Sequence, residues 1–166
     1  MRTLFTLIVM AVPTLAAEPK NELPAAWHGI WTGKLELPKD QTVTMELVIE
    51  PIKDTRKLRW QITYGEGGKA SIRKYELVPD DFVAGRFLLD EKNGILLDMK
   101  FAKGVMHSQF EVSGSLLTAR YELRDGKLHY EITTAGKAIE TGTKDSAIVK
   151  VYPVTSTQTA VLSKSK

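Results

Sequence analysis

Glycine-ended turns recur through the middle of this 166-residue chain, at Asn93-Gly94, Lys103-Gly104, Ser113-Gly114 and Asp125-Gly126. They lie about ten residues apart, with strand-like sequence between them. Glycine enters the positive-φ region without a Cβ clash, so X-Gly between alternating apolar runs is a strong local signal for a tight hairpin. A series at this spacing predicts a continuous antiparallel meander. It defines the fold more sharply than the function, because no residue constellation in the chain names a reaction.

The pleat tests the hairpins. A two-residue loop pairs its flanking residues, and paired residues share a face. Ser113-Gly114 pairs Val112 with Ser115, Phe110 with Leu117, Ser108 with Ala119 and Met106 with Tyr121. Lys103-Gly104 pairs Phe101 with Met106, Met99 with Ser108, Leu97 with Phe110 and Ile95 with Val112. Asp125-Gly126 adds Leu123 with Leu128, Tyr121 with Tyr130 and Ala119 with Ile132. All three turns select one apolar face. The other face pairs Glu122 with His129, Arg120 with Glu131 and Lys100 with His107, the first two as cross-strand ion pairs.

Asn93-Gly94 behaves differently. A two-residue loop there would turn Arg86 and Asp90 inward. A three-residue loop, Lys92-Asn93-Gly94 with Gly94 left-handed, instead places Val83, Gly85, Phe87 and Leu89 inside. Burying an unpaired charge costs on the order of several kcal/mol, so the three-residue loop is expected. Asp90 and Glu91 then alternate faces at a turn and read as a charged loop, not an acid/base pair.

Upstream, Trp31, Gly33, Leu35 and Leu37 alternate with polar residues, as do Val43, Met45, Leu47 and Ile49, and Leu58, Trp60, Ile62 and Tyr64. Pro38, Pro51 and Pro79 mark strand ends. Residues 71–77 form a weaker strand with Tyr75 and Leu77 inward. The last strand is expected at 147–154, lying beside residues 30–37. Residues 17–26 read as a polar lead-in, 135–146 as a long connection holding a short helix or turn, and 155–166 as a flexible tail.

At the start, Arg2, the apolar run Leu4 to Val12 and the small residues Thr14 and Ala16 have the layout of a secretory signal, with cleavage after Ala16 or Ala17. Export to the periplasm or extracellular space is the expectation. The chain has no cysteine, which excludes a thiol nucleophile, a Cys-based metal site and disulfide stapling. Formal net charge is +3, falling to about +2 without Arg2. The nearest basic patch, Lys53, Arg56, Lys57 and Arg59, reads as a solvated hairpin, so no nucleic-acid partner is expected.

The pattern predicts one all-β domain over 27–154, an antiparallel up-and-down meander closing into a barrel of roughly eight to ten strands. A β-sandwich needs longer crossovers than these. An outer-membrane barrel shares the alternation with its apolar face outward. The short loops between residues 90 and 130 and the Ser-Lys-Ser-Lys end argue against it, so an integral membrane protein is not expected.

The stretch Trp27-His28-Gly29-Ile30-Trp31-Thr32-Gly33 carries a Gly-x-Trp at the entry to strand one, which resembles the lipocalins and wider calycin barrels. Residues 121–128, YELRDGKL, look like the late hairpin of bacterial lipocalin-like domains. The resemblance implies a lipocalin-like binding protein for small apolar molecules rather than an enzyme. It also implies a Trp, matched by Trp31, at the closed end of the barrel beneath an Arg from a late strand. Arg120 falls on the outer face and does not match that Arg.

The inward face supplies the candidate ligand-binding residues Trp31, Trp60, Tyr64, Tyr75, Phe87, Met106, Phe110, Tyr121 and Tyr130, with Arg73 at the barrel mouth able to hold a carboxylate. The competing reading is that these side chains fill the barrel and the protein contacts a protein or cell-envelope polymer through its surface. His107 and His129 fall on the outer face and His28 precedes the first strand, so no metal or cofactor is expected. Ser108 alternates away from His107, so no nucleophile is activated.

Overall fold

The computed structural model describes residues 21–143 and 147–165; the predicted export segment at 1–17 lies outside them. Ten strands form one closed antiparallel barrel. They are β1 (Gly29–Leu37), β2 (Gln41–Pro51), β3 (Leu58–Tyr64), β4 (Ser71–Pro79), β5 (Arg86–Asp90), β6 (Leu96–Ala102), β7 (Val105–Val112), β8 (Ser115–Arg124), β9 (Lys127–Ala135) and β12 (Val154–Lys164). Two short strands, β10 (Ile139–Thr141) and β11 (Val149–Val151), form a separate ribbon between β9 and β12.

The turn chemistry sets this meander. Lys103 and Gly104, Ser113 and Gly114, and Asp125 and Gly126 all have positive φ, between 51° and 79°. That is the mirror-image turn whose twist matches its flanking strands. The resulting registers of β7 with β8 and β8 with β9 are those the turns predict. At residues 91–95, the Glu91 N–H donates to the Ile95 carbonyl (3.0 Å), and Gly94 has φ 93°. The three-residue loop places Phe87 opposite Met99 and Leu89 opposite Leu97, all inward. Val83 lies outside β5 and is exposed, not inward as expected.

The core is the barrel interior. Trp31, Met45, Leu47, Ile49, Trp60, Leu77, Met99, Met106, Leu128 and Leu162 are each at most 1% exposed. Lys34, Glu36, Arg59, Lys74, Lys100 and Glu131 lie on the outer face and are exposed. The basic stretch at 53–59 is largely paired with acids: Arg56 with Asp81, Lys57 with Glu76 (3.1 Å) and Arg59 with Glu50 (2.6 Å).

The ends of the domain differ from the sequence reading. The closing strand is β12, not 147–154. Trp31 to Glu36 of β1 pair with Lys164 to Thr159, and β12 pairs along its other edge with β9. The expected flexible tail is therefore a central strand of the closure. Its Ser- and Thr-rich composition hides an inward set of Gln158, Ala160 and Leu162. Residues 147–151 leave the barrel to pair with residues 139–141, part of the expected helix or turn. Gly33 makes the closure fit: a Cβ there would come within 2.5 Å of the Val161 carbonyl oxygen.

The lead-in is also structural. Leu23 and Trp27, 5% and 2% exposed, plug the end of the barrel where the chain enters, with Ala25–Trp27 forming a single 3₁₀ turn. Trp27 packs edge-on against Phe101, and its carbonyl accepts the Trp31 indole N–H (2.8 Å). Asn21 fastens the plug to the β4–β5 loop. Its Nδ2 donates to the carbonyls of Asp80 (2.6 Å), Val83 (2.7 Å) and Arg86 (3.2 Å), and its Oδ1 accepts the Gly85 N–H (2.6 Å). Above Trp31 lies the Lys164 ammonium, 5.1 Å from the ring centroid. This Lys comes from the segment read as a tail.

Not every expected contact forms. Arg120 bonds Glu122 on its own strand (2.9 Å) rather than Glu131. The β6–β7 ladder stops at Met99 opposite Ser108, so Leu97 does not pair with Phe110, nor Ile95 with Val112.

Candidate functional site

The plug closes the lower end of the barrel, and the upper end is notched. β5 has five residues and β6 seven, whereas β4 has nine and β7 eight. The short β5–β6 hairpin turns back at 91–95 before reaching the height of its neighbours. The upper part of β4 and residues 109–112 of β7 therefore face a gap instead of a paired strand. Where the β6–β7 ladder ends, the Ser108 hydroxyl donates to the Asp98 carbonyl (2.8 Å) in place of a backbone bond.

A cavity of about 100 Å³ lies in the upper half of the barrel beneath this notch. Its walls are largely aromatic: Tyr64 and Tyr75 from β3 and β4, Phe110 and Tyr121 from β7 and β8, and Tyr130 from β9. Met99, Ala119 and Ser108 complete its floor and side, and Glu91 lies at its edge. The strands bring these residues together because each occupies an inward register position at similar height. Trp60 opposes Tyr75 across β3–β4, and Tyr121 opposes Tyr130 across β8–β9.

Burial keeps the phenols neutral. Desolvation raises Tyr121 and Tyr130 far above the usual phenol range, each reinforced by the neighbouring tyrosines. Tyr64 is raised by burial, offset by its contact with the Tyr130 hydroxyl and by the Arg73 charge. Tyr75 is raised by burial and then by Glu91. The cavity thus presents hydroxyl groups that both donate and accept hydrogen bonds. Beneath it, Trp60 stands edge-on to Tyr121 with ring centroids 5.1 Å apart, and its buried indole N–H has no acceptor among the described residues.

The ten candidate binding residues separate into three groups. Tyr64, Tyr75, Phe110, Tyr121 and Tyr130 line the cavity. Trp31, Trp60, Phe87 and Met106 lie outside its lining, each at most 2% exposed, and pack the core. Arg73 pairs in register with inward-facing Ile62, so it sits on the inward face of β4 at the rim, exposed and outside the lining. Sequence reasoning missed Glu91 as a cavity residue. The signal was present, because the three-residue loop that turns Phe87 and Leu89 inward also turns residue 91 inward. Among the described residues, no group of three or more His, Asp or Glu side chains could hold a metal ion.

The architecture is a closed ten-stranded antiparallel barrel, plugged at one end and notched at the other, and is compatible with a lipocalin-like fold. No family model, curated protein or solved structure matches the chain.

Proposed function

We propose that this protein is an exported binder of a small amphipathic molecule, with the apolar part in the tyrosine-lined cavity and the polar end at the notch. The observation that carries the reading is the cavity itself, a space of about 100 Å³ left open inside an otherwise filled barrel. An apolar cavity of roughly 150 Å³ accepts benzene, whereas drug-sized ligands occupy roughly 300–1,000 Å³. One ring or a short branched chain suits the space, and a long lipid does not. Export rests on the layout of residues 1–17. A water-soluble barrel rests on charged outer faces and an apolar interior, the reverse of a membrane barrel. Binding rather than catalysis is favoured because Ser108 is committed to a backbone carbonyl and the strand histidines lie on the outer face.

Native mass spectrometry of protein purified from its own host tests this, beside an Ala119→Phe variant that fills the cavity. A small added mass on the wild type, lost on denaturation and absent from the variant, is expected. An adduct retained by the variant, or none on the wild type together with unchanged tyrosine NMR shifts on titration with small aromatic probes, would overturn the reading.

A second reading, a protein-interaction or inhibitor module, is favoured by one feature. Ile139, Val149 and Val151 share a face of the β10–β11 ribbon and are each about half exposed. It predicts that changing Ile139 and Val149 to Ser abolishes capture of a partner while leaving the cavity intact.

A further inference from the structure

We infer that the polar end of the ligand is a cation, a primary amine or similar small ammonium, held by Glu91 at the cavity mouth. The inference rests on the binding reading above and assigns its ligand class.

Glu91 is the one charged residue among those lining the cavity. Its position is set by the turn: Asn93 Nδ2 donates to Glu91 Oε2 (3.2 Å), while Asn93 Oδ1 accepts the Ile95 N–H (3.0 Å). Glu91 Oε1 has no hydrogen-bond partner among the described residues, so one carboxylate oxygen is available to a ligand. The nearest lysine along the chain, Lys92, is directed to the outer face and is bound to Glu76 (3.0 Å) and Asp90 (3.6 Å). Arg73 approaches the same mouth from β4 and acts on Tyr64 and Tyr75, yet it makes no ion pair with Glu91 and lies outside the lining. The surrounding walls favour the same ligand charge. Tyr64, Tyr75, Phe110, Tyr121 and Tyr130 line the cavity, and an ammonium over an aromatic ring is attracted by its face.

Three probes of matched size decide the sign: 2-phenylethylamine, 2-phenylethanol and 3-phenylpropionate, titrated calorimetrically into the wild type, Glu91→Gln, Glu91→Asp and Arg73→Gln. The expected order on the wild type is amine, then alcohol, then acid. Glu91→Gln should weaken the amine about tenfold and leave the alcohol within about twofold, as for loss of one charge-assisted hydrogen bond. Glu91→Asp should retain part of the preference, and Arg73→Gln should not weaken the amine. Acid binding tighter than amine, lost in Arg73→Gln, would overturn the cation assignment and leave the binding reading standing. Amine binding indifferent to Glu91→Gln would also overturn it. No binding of any probe to the wild type would overturn both.

Discussion

Replacing Leu162 by Ala separates a structural final strand from a flexible tail. Leu162 is fully buried, stands opposite Gly33 of β1 and Leu128 of β9, and belongs to the strand that joins the barrel's first and ninth members. Leu→Ala removes about three methyl or methylene groups, roughly 2.4 kcal/mol of transfer free energy at about 0.8 kcal/mol each. The site is held on both sides by hydrogen-bonded ladders and can collapse only in part, so a cavity term brings the cost to about 3 kcal/mol. At about 3–4 °C per kcal/mol for a domain of this size, Tm should fall by roughly 10 °C. Urea unfolding is readily followed by fluorescence, since Trp27, Trp31 and Trp60 are all buried. Ser163→Ala, one residue on and facing outward, is the control and should stay within about 0.5 kcal/mol. A Leu162→Ala midpoint matching that control would refute the closure of the barrel by β12.

Asn21→Ala should cost about 2–4 kcal/mol, because it leaves Asp80, Val83 and Arg86 carbonyls and the Gly85 N–H without their shared partner; a change below about 0.5 kcal/mol in urea would sink the clamp. Glu76, Asp80 and Glu122 are held below their ordinary values, Glu76 by Lys92 and Lys57, Asp80 by the Phe82 and Val83 N–H groups, and Glu122 by Arg120. The unfolded chain therefore binds their protons more tightly, so stability present near neutral pH should decline as pH falls below the ordinary values of 4.5 for Glu and 3.8 for Asp. A urea midpoint constant from pH 6 to roughly pH 3 would contradict this. At the other extreme, Tyr64, Tyr75, Tyr121 and Tyr130 hold their protons above the ordinary value of 10.0. The unfolded state then loses protons first and stability should fall as pH rises past that value; full phenolate absorbance in the native protein near pH 10.5 would be the contrary result.

The central meander was legible because its information is local. Each X-Gly turn fixes a register, and the pleat carries that register to every residue of the hairpin, which is why Met106 and Tyr121, or Ala119 and Ile132, are paired as expected. The ends were not legible because their information is long-range. Residues 155–164 read as a polar tail, since only Ala160 and Leu162 are both inward and strongly apolar, and the partners through which they close the barrel, Leu35 and Gly33, lie over a hundred positions away. Asn21 has no local partner either; its four bonds all reach residues 80–86. The candidate site was half legible. Alternation gave the inward tyrosines, but not which inward residues would touch a cavity and which would fill the core. That division depends on height along the barrel, where Trp31, Phe87 and Met106 lie near the plug and Tyr64, Tyr75 and Phe110 near the mouth.

One local choice links the fold to the site. Keeping Arg86 and Asp90 out of the core demands a three-residue turn after Glu91, and that turn ends the β5–β6 hairpin below the rim set by β4 and β7. The early turn leaves the upper β6–β7 edge unpaired, which opens a way into the cavity beside Phe110 and Leu97. The same register continues the inward series Phe87, Leu89 to residue 91, which puts a carboxylate rather than an apolar side chain at the opening. A hairpin of full height with a two-residue turn would have closed the wall and moved that charge to the outer face. The mouth of the cavity, its location and the sign of the charge at its edge therefore follow from a single constraint, the cost of burying Arg86 and Asp90.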